Sequence, residues 1–395
     1  MSLINGLGEF FAIDIGTNSL RVAQLTGNKN SGWTLKHFGY VPITEGLAQD
    51  DSNAGRQAFM ATVKMLVGQS GITTTNCVIG LPSNKAFTSV IKVPAQDEAD
   101  LKKTMMYQMD SLVPTALSDA EIDWIDLGPI PGDLENTNIL LSSTTSTFAE
   151  SRLDLFEDAG FNVYAAEPEV IAMTRALYPY DAHDARLIVD YGEASTDISV
   201  YYHGAPRLLR SVPLGLRDLV KVASTSLSIK EDQARQFLLK FGLAQDKLDG
   251  KIFIAINAAL DTFVYELAKV IRTFNTNYPT VPIGGAIVAN YGEAVPLMLD
   301  YISAKLKIPV EAANPWRKVA VPPEYRDALR TVATEFAVVL GLAERTNDVA
   351  PYIEPRKWLG LINFTKSVGD KAADAGAKLL EGAKDPTNPG GTADV

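Results

Sequence analysis

The stretch from Phe10 to Val22, FFAIDIGTNSLRV, joins an apolar run to an acid and then to a turn rich in small hydroxyl and amide side chains. It reads as strand, tight turn, strand, with the second strand beginning at about Leu20. Gly16 lets the backbone turn sharply or approach a ligand closely. Backbone N–H groups and hydroxyls in such a turn can cradle a phosphate. Asp14, at the strand end, can hold a hydrated Mg²⁺ beside it. An ordinary hairpin with a turn-favouring sequence has the same pattern, since short motifs recur by chance.

The recurrence of the pattern shifts that balance. Residues 187–200, LIVDYGEASTDISV, repeat it: Asp190 matches Asp14, Gly192 matches Gly16, Ser195 matches Ser19 and Ile198 matches Val22, all at one offset of 176 residues. A repeat at domain-sized spacing suggests two related domains facing one another. Two D-x-G hairpins then clamp one polyphosphate from both sides. Asp14 and Asp190 are the candidates for hydrated Mg²⁺. Gly16, Thr17, Asn18, Ser19, Gly192, Ser195 and Thr196 are the candidates for phosphate.

The elements that must position these hairpins follow from periodicity. Residues 9–41 read as three strands, residues 53–68 as a helix with Phe59, Val63 and Leu66 on one face, and residues 76–81 as a buried strand. From Pro82 the pattern changes. A strand at 86–93 precedes an amphipathic helix at 97–113, on which Leu101, Met105, Met109 and Leu112 recur at helical spacing. That stripe suits core packing or, because Met is adaptable, a partner groove. Residues 122–127 and 138–143 form a strand pair, and Phe148, Leu155 and Phe156 mark a second helix. Phe161 to Ala166 returns as a strand, and Glu167-Pro168-Glu169 opens a helix with ordinary capping chemistry. After the second hairpin, a strand at 205–213 leads into a helix whose N-terminus, following Gly215, could face a phosphate. Helices at 230–240 and 251–277 come next. Val281 to Ala286 reads as a strand and then a Gly turn. Helices at 293–306 and 325–344 complete the pattern, the last carrying Leu329, Val332, Phe336 and Leu340 at helical spacing.

Composition sets bounds. A chain of 395 residues exceeds a usual single domain, and 46% hydrophobic content allows a sizeable core. A net charge of -11 argues against a general nucleic-acid binder. The lone Cys77, inside an apolar run, is a buried small hydrophobe and suits a reducing compartment. His37, His183 and His203 show no metal-ligand spacing. No uncharged apolar run approaches the ~20 residues of a membrane span, and the first eight residues lack the features of a signal peptide. A cytoplasmic location is the expectation.

Paired D-x-G hairpins followed by Ile283-Gly284-Gly285-Ala286 resemble the actin, heat-shock chaperone and sugar kinase superfamily. Within it, the order of motifs, with Gly80-Leu81-Pro82-Ser83, Asn314-Pro315-Trp316 and Gly341-Leu342-Ala343-Glu344-Arg345, is similar to the PilM family of type IV pilus assembly, related to the cell-division actin FtsA. The resemblance runs from about Phe10 to Arg345. It implies an α/β, two-domain actin-like (ribonuclease H-like) fold with an FtsA/PilM-type small α+β insert in the first domain. The implied boundaries are 9–81 and 161–183 for the first domain, 82–160 for the insert, 184–324 for the second domain with a helical part at 214–278, and 325–346 for a helix returning to the first domain. Residues 347–395 are left as a tail.

The same resemblance implies ATP or ADP with Mg²⁺ between the domains, Gly284 and Gly285 flanking adenosine, and nucleotide state setting closure and partner binding. Arg21 stands where relatives often carry Lys. Family members tend to have a Gly pair where this chain has Gly215 alone. Arg235 stands at the position of an acid that contacts ribose, and the nearest Lys, Lys240, is out of register. Glu167 and Glu169 are the local candidates for positioning an attacking water, although capping is the favoured reading. Slow or absent hydrolysis is therefore the expectation. Implied partners are a PilN-like inner-membrane protein, through its N-terminal peptide, and further copies of the chain in an oligomer or filament. The protein would thus sit at the inner face of the cell membrane.

In the tail, Leu361-Ile362-Asn363-Phe364-Thr365-Lys366 resembles the PilN peptide. It could occupy the same groove in cis, link monomers, or match by chance. Phe364, Val368, Ala372, Ala375 and Leu379 fall on one face of a possible membrane-binding helix, weakened by Gly369 and Gly376. An FtsA-like division protein and a small-molecule kinase are the alternative functions. The kinase would need a general base for a hydroxyl, and no second acidic motif serves that need.

Overall fold

A computed structural model of the chain describes residues 9–345, except residues 29, 30, 131, 180, 181, 183, 330 and 331. The tail segments Leu361–Lys366 and Phe364–Leu379 lie outside the described residues.

The first half of the chain forms β1 (Phe11–Ile15), β2 (Ser19–Asn28), β3 (Gly32–Pro42), α1 (Asn53–Gln69) and β4 (Asn76–Leu81). It continues through β5 (Ala86–Pro94), α2 (Glu98–Leu112), β6 (Ala120–Ile130), β7 (Asp133–Thr145) and α3 (Ser146–Asp158) to β8 (Asn162–Pro168) and α4 (Glu169–Leu177). The second half forms β9 (Ala185–Tyr191), β10 (Thr196–Tyr202), β11 (Ala205–Val212), α5 (Leu216–Leu227), α6 (Glu231–Phe241) and α7 (Lys251–Asn277). After them come β12 (Ile283–Asn290), α8 (Tyr291–Ala294), α9 (Met298–Leu306), β13 (Val310–Ala312), β14 (Val319–Ala320), α10 (Arg326–Leu329) and α11 (Ala337–Ala343).

Two sheets share one plan. The first runs β14-β3-β2-β1-β4-β8 and the second β11-β10-β9-β12-β13. In each, an antiparallel three-strand meander adds parallel strands on its far side. The sequence repeat is thus a repeat of topology, with β1 equivalent to β9 and β2 to β10. The central strands are covered on both faces, which is why β1 (FAIDI) is buried at every position. One face of the first sheet packs on α1 and α3. Its other face packs on α4 and α11. Every residue of α11 is buried, as expected of a helix that is apolar all round. A Cβ on Gly341 would overlap the Ala172 carbonyl, so glycine there lets α11 lie directly against α4.

The third sheet, β5-β7-β6, is the insert. Leu101 and Met105 of α2 are buried with Ile139 and Leu141 of β7, and Met109 and Leu112 pack beside them. The Met stripe is therefore core. The insert also meets the second domain: β5 lies against β11, and the Asn138 amide donates to the Tyr278 hydroxyl.

Three expected elements differ. The strand β12 runs through Gly284 and Gly285 instead of ending there, because pairing with β9 begins at Ile283↔Ala185. The helix expected at 293–306 is two helices, parted where Leu297 adopts φ 64°. The helix expected at 325–344 is broken into short pieces. Here the Trp316 indole N–H takes the Ala333 carbonyl at 2.9 Å, so that carbonyl is bonded from outside the segment. The chain rejoins the first sheet already at β14, which pairs with β3.

Candidate functional site

Both hairpins close by the same hydrogen bond. The Gly16 N–H donates to the Ser19 carbonyl at 3.0 Å, and the Gly192 N–H donates to the Ser195 carbonyl at 3.0 Å. Thr17 and Asn18, and Glu193 to Ser195, form the tips and are at least partly exposed. Asp14 and Asp190 stand at the ends of β1 and β9, so the repeat brings their carboxylates toward each other from two domains.

Each hairpin binds its acid differently. In the first, Arg21 is the β2 partner of Asp14 in register. Its Nη1 donates to Asp14 Oδ2 at 2.7 Å, and its Nη2 donates to Ser19 Oγ and Glu335 Oε2, both at 2.8 Å. A Cβ on Gly16 would stand 2.9 Å from Arg21 Nη1, so the guanidinium lies over the turn. Burial works against the Arg21 charge, but Asp14 and Glu335 outweigh it. In the second hairpin the equivalent residue is Asp197, which pairs in register with Asp190. Asp197 Oδ2 accepts from Ser83 Oγ at 2.6 Å, across the domain boundary. The Asn290 amide donates to Asp190 Oδ1.

Glu169, the first residue of α4, completes the set. Its Oε1 is buried with no hydrogen-bond partner among the described residues. Burial, then repulsion from Asp14, Asp197 and Asp190, raises its pKa well above the usual carboxylate value. Burial and Asp197 push Asp190 up to about 7. Asp14 and Asp197 are raised by burial too, against the opposing pull of Arg21 and of Ser83 respectively. Asp14, Asp190, Asp197 and Glu169 thus share one cleft beside the Arg21 guanidinium, which Glu335 also holds. Glu169, read from sequence as a cap, belongs to this cluster. Glu167 does not: it is buried between Arg175 and Arg345, which outweigh the cost of its burial and hold its pKa low.

The remaining candidates are placed as follows. The Thr196 hydroxyl is buried and donates to the Leu214 carbonyl at 2.6 Å. Gly215 starts α5, and a Cβ there would lie 2.5 Å from the Glu193 carbonyl oxygen. The next two N–H groups, of Leu216 and Arg217, donate to the Gly192 and Glu193 carbonyls at 3.0 Å each. The helix N-terminus is therefore bonded to the hairpin backbone. Lys240 is exposed at the end of α6, its ammonium 5.2 Å from the Phe241 ring centroid. Gly284 and Gly285 are not brought to the hairpins. They begin β12, packed on Asp184 and Arg186, whereas Asp190 lies level with Ala289 near the other end. Five residues of strand put them about 17 Å apart. In parallel sheets, ligands bind beyond the carboxyl ends of the strands, and that end of β12 is Asn290-Tyr291-Gly292.

Arg235 fills the space next to this end. Its two Nη atoms donate to the two carboxylate oxygens of Glu193 at 2.8 and 2.7 Å, and Nη2 also reaches the Tyr291 hydroxyl at 3.1 Å. These partners were not foreseen, because Glu193, Arg235 and Tyr291 lie far apart in sequence. Asp197 was findable: it is the counterpart of Arg21 at the repeat offset.

A family described as type IV pilus assembly protein PilM matches residues 12–347. Among solved structures, a PilM–PilN type IV pilus biogenesis complex matches with TM-score 0.71 and 20% identity, over 85% of this chain and 98% of that one. MreB5 of Spiroplasma citri bound to AMPPNP matches with TM-score 0.48 and 11% identity, over 86% and 95%. EutJ of Carboxydothermus hydrogenoformans matches with TM-score 0.47 and 15% identity, over 85% and 88%. No curated protein matches the chain. The family match covers both hairpins, the insert and the returning helix, and the fold is actin-like: the chain belongs to the type IV pilus assembly protein PilM family.

Proposed function

We propose that this chain is an actin-like scaffold of type IV pilus assembly that takes Mg²⁺ and the phosphates of a nucleoside triphosphate between its hairpins. The observation that supports this reading is the surplus of acid in the cleft. Asp14, Asp190, Asp197 and Glu169 gather at an Arg21 guanidinium that Glu335 also holds, and Glu169 Oε1 has no hydrogen-bond partner among the described residues. A divalent cation relieves such a surplus. Among the described residues, no three His, Cys, Asp or Glu side chains form a set that could hold a bare metal ion. Asp14, Asp190, Asp197 and Glu169 would therefore hold Mg²⁺ through its water shell, as suits an ion that dehydrates reluctantly. Thr17, Asn18, Glu193, Ala194 and Ser195 would present the turn backbones to phosphate. Bound Mg²⁺ supplies charge neutralisation to the phosphate oxygens. Glu169 would orient a water.

The partner would be a PilN-like inner-membrane protein, placing the chain at the membrane's inner face. Among the described residues, no helix is long and apolar enough to cross a membrane. A groove enclosing about 30 Å³ between α1 and α3 is lined by Leu47, Asp50, Asp51, Arg56, Phe59, Phe148, Ser151, Arg152 and Leu155. Arg152 lies over both rings, 5.6 Å from Phe59 and 5.3 Å from Phe148, and its Nη1 is buried without a hydrogen-bond partner among the described residues. An apolar side chain and a backbone carbonyl of a partner peptide suit that pair of features. Ser83 joins the root of the insert to Asp197, so closure of the cleft is linked to the insert.

Calorimetry with Mg²⁺ and ATP tests the cleft, comparing the intact chain with Asp190→Ala. Binding that disappears in the variant is expected. Binding unchanged in the variant sinks the two-hairpin reading. Titration of a PilN-type N-terminal peptide into wild type and Phe148→Ala tests the groove.

A further inference from the structure

We infer that the cleft selects the phosphates of its ligand and not the nucleoside. The inference rests on the proposed reading of the cleft as a Mg²⁺–phosphate site.

A nucleoside attached to phosphates between the hairpins must leave past the tip of the second hairpin, beside the carboxyl end of β12. Three walls meet there: the hairpin through Glu193, α6 through Arg235, and the end of β12 through Tyr291. The Arg235 side chain spans all three. It holds both oxygens of Glu193 in a bidentate pair, hydrogen-bonds the Tyr291 hydroxyl, and stacks with its guanidinium carbon 5.3 Å from that ring's centroid. The Glu193 side chain is only 9% exposed. A bidentate pair has fixed geometry and strong charge-assisted bonds. Admitting a ribose here means separating it and leaving the partly buried Glu193 with only the Arg217 Nε, 4.0 Å from its Oε1, as counter-charge.

Further contacts act in the same direction. Arg217 Nη2 pairs with Glu45 Oε1 of the first domain at 2.8 Å, bridging the domains beside the same tip. The α5 N–H groups that could serve a ligand are bonded to the hairpin carbonyls. Gly284 and Gly285, which would have allowed a close approach to adenosine, begin β12 at its other end. What the cleft offers without rearrangement is hairpin backbone for phosphate and carboxylate for its cation. The ligand class is a Mg²⁺–triphosphate, inorganic or carrying any base.

Calorimetry on the full chain at pH 8 with excess Mg²⁺ tests this, using tripolyphosphate, ATP, GTP and CTP. The expected dissociation constants of ATP, GTP and CTP agree within about threefold of one another, and none of the three binds more tightly than tripolyphosphate. ATP binding about tenfold or more tighter than both tripolyphosphate and GTP overturns the inference and leaves the phosphate cleft standing. No binding of any of the four overturns both. In Arg235→Ala, nucleotide affinity should rise relative to tripolyphosphate, because Glu193 becomes free to accept from ribose hydroxyls. An unchanged ratio in that variant overturns the role given to Arg235. Arg235→Lys, which keeps the charge and loses the fork, gives the same comparison if the alanine variant does not fold.

Discussion

Replacing Asp190 by Asn should stabilise the protein in the absence of Mg²⁺, and more so as the pH rises. Folded Asp190 keeps its proton up to about 7, against an ordinary value of 3.8, because it is buried and faces Asp197. Between those values the folded state binds more protons than the unfolded one, so stability falls as pH rises through the window. Below 3.8 the cost is absent, and above 7 it is fully present. A separation of roughly three pH units is worth at most about 4 kcal/mol at pH 8, and about 1.5 kcal/mol at pH 5. Asn keeps the shape, and its side-chain oxygen still accepts from the Asn290 amide. Urea unfolding at the two pH values in EDTA should therefore show the variant more stable than wild type by a gap that widens by about 2.5 kcal/mol from pH 5 to pH 8. Added Mg²⁺ should raise the stability of wild type at pH 8 and leave the variant unmoved. A variant less stable than wild type at pH 8, or a gap independent of pH, would refute the acid-surplus argument.

Other perturbations follow from the same contacts. Affinity for Mg²⁺, followed by calorimetry, should fall as pH drops below about 7, since Asp190 must lose its proton to serve the ion. Glu167→Gln leaves Arg175 and Arg345 without their buried counter-charge and should cost about 3–5 kcal/mol in denaturant unfolding; a loss under 1 kcal/mol would show the network to be unimportant. Arg21→Met strands the Asp14 carboxylate and should cost a similar amount, with partial recovery when Asp14→Asn is added, read as a double-mutant cycle. Gly215→Ala drives a Cβ into the Glu193 carbonyl and should cost about 1–3 kcal/mol; a fully stable variant would mean that α5 can draw back from the hairpin.

What sequence alone determined about this protein is what local pattern and repetition encode. The two D-x-G hairpins, their common offset and the β-meander after each are legible because a strand–turn–strand needs only neighbouring residues. The long helix α7 was legible end to end for the same reason, as was the buried stripe on α2. The resemblance carried the family, since the order of motifs survives in a linear string. Tertiary structure alone decided the electrostatics of the cleft. Glu169 looks like a helix cap until Asp14, Asp190 and Asp197 arrive from other strands and charge the space around it. Glu167, two residues earlier, faces Arg175 and Arg345 instead and becomes a structural ion pair. Neighbours in sequence thus met opposite surroundings, because β8 ends between them. The glycine pair misled for a related reason. Gly284 and Gly285 look like a turn, but pairing with β9 draws them into a strand and points the other end of β12 at the site. Arg235, Glu193 and Tyr291 meet only when α6, the second hairpin and β12 are packed together. No local pattern encodes that meeting, because it is fixed by how three separate elements pack.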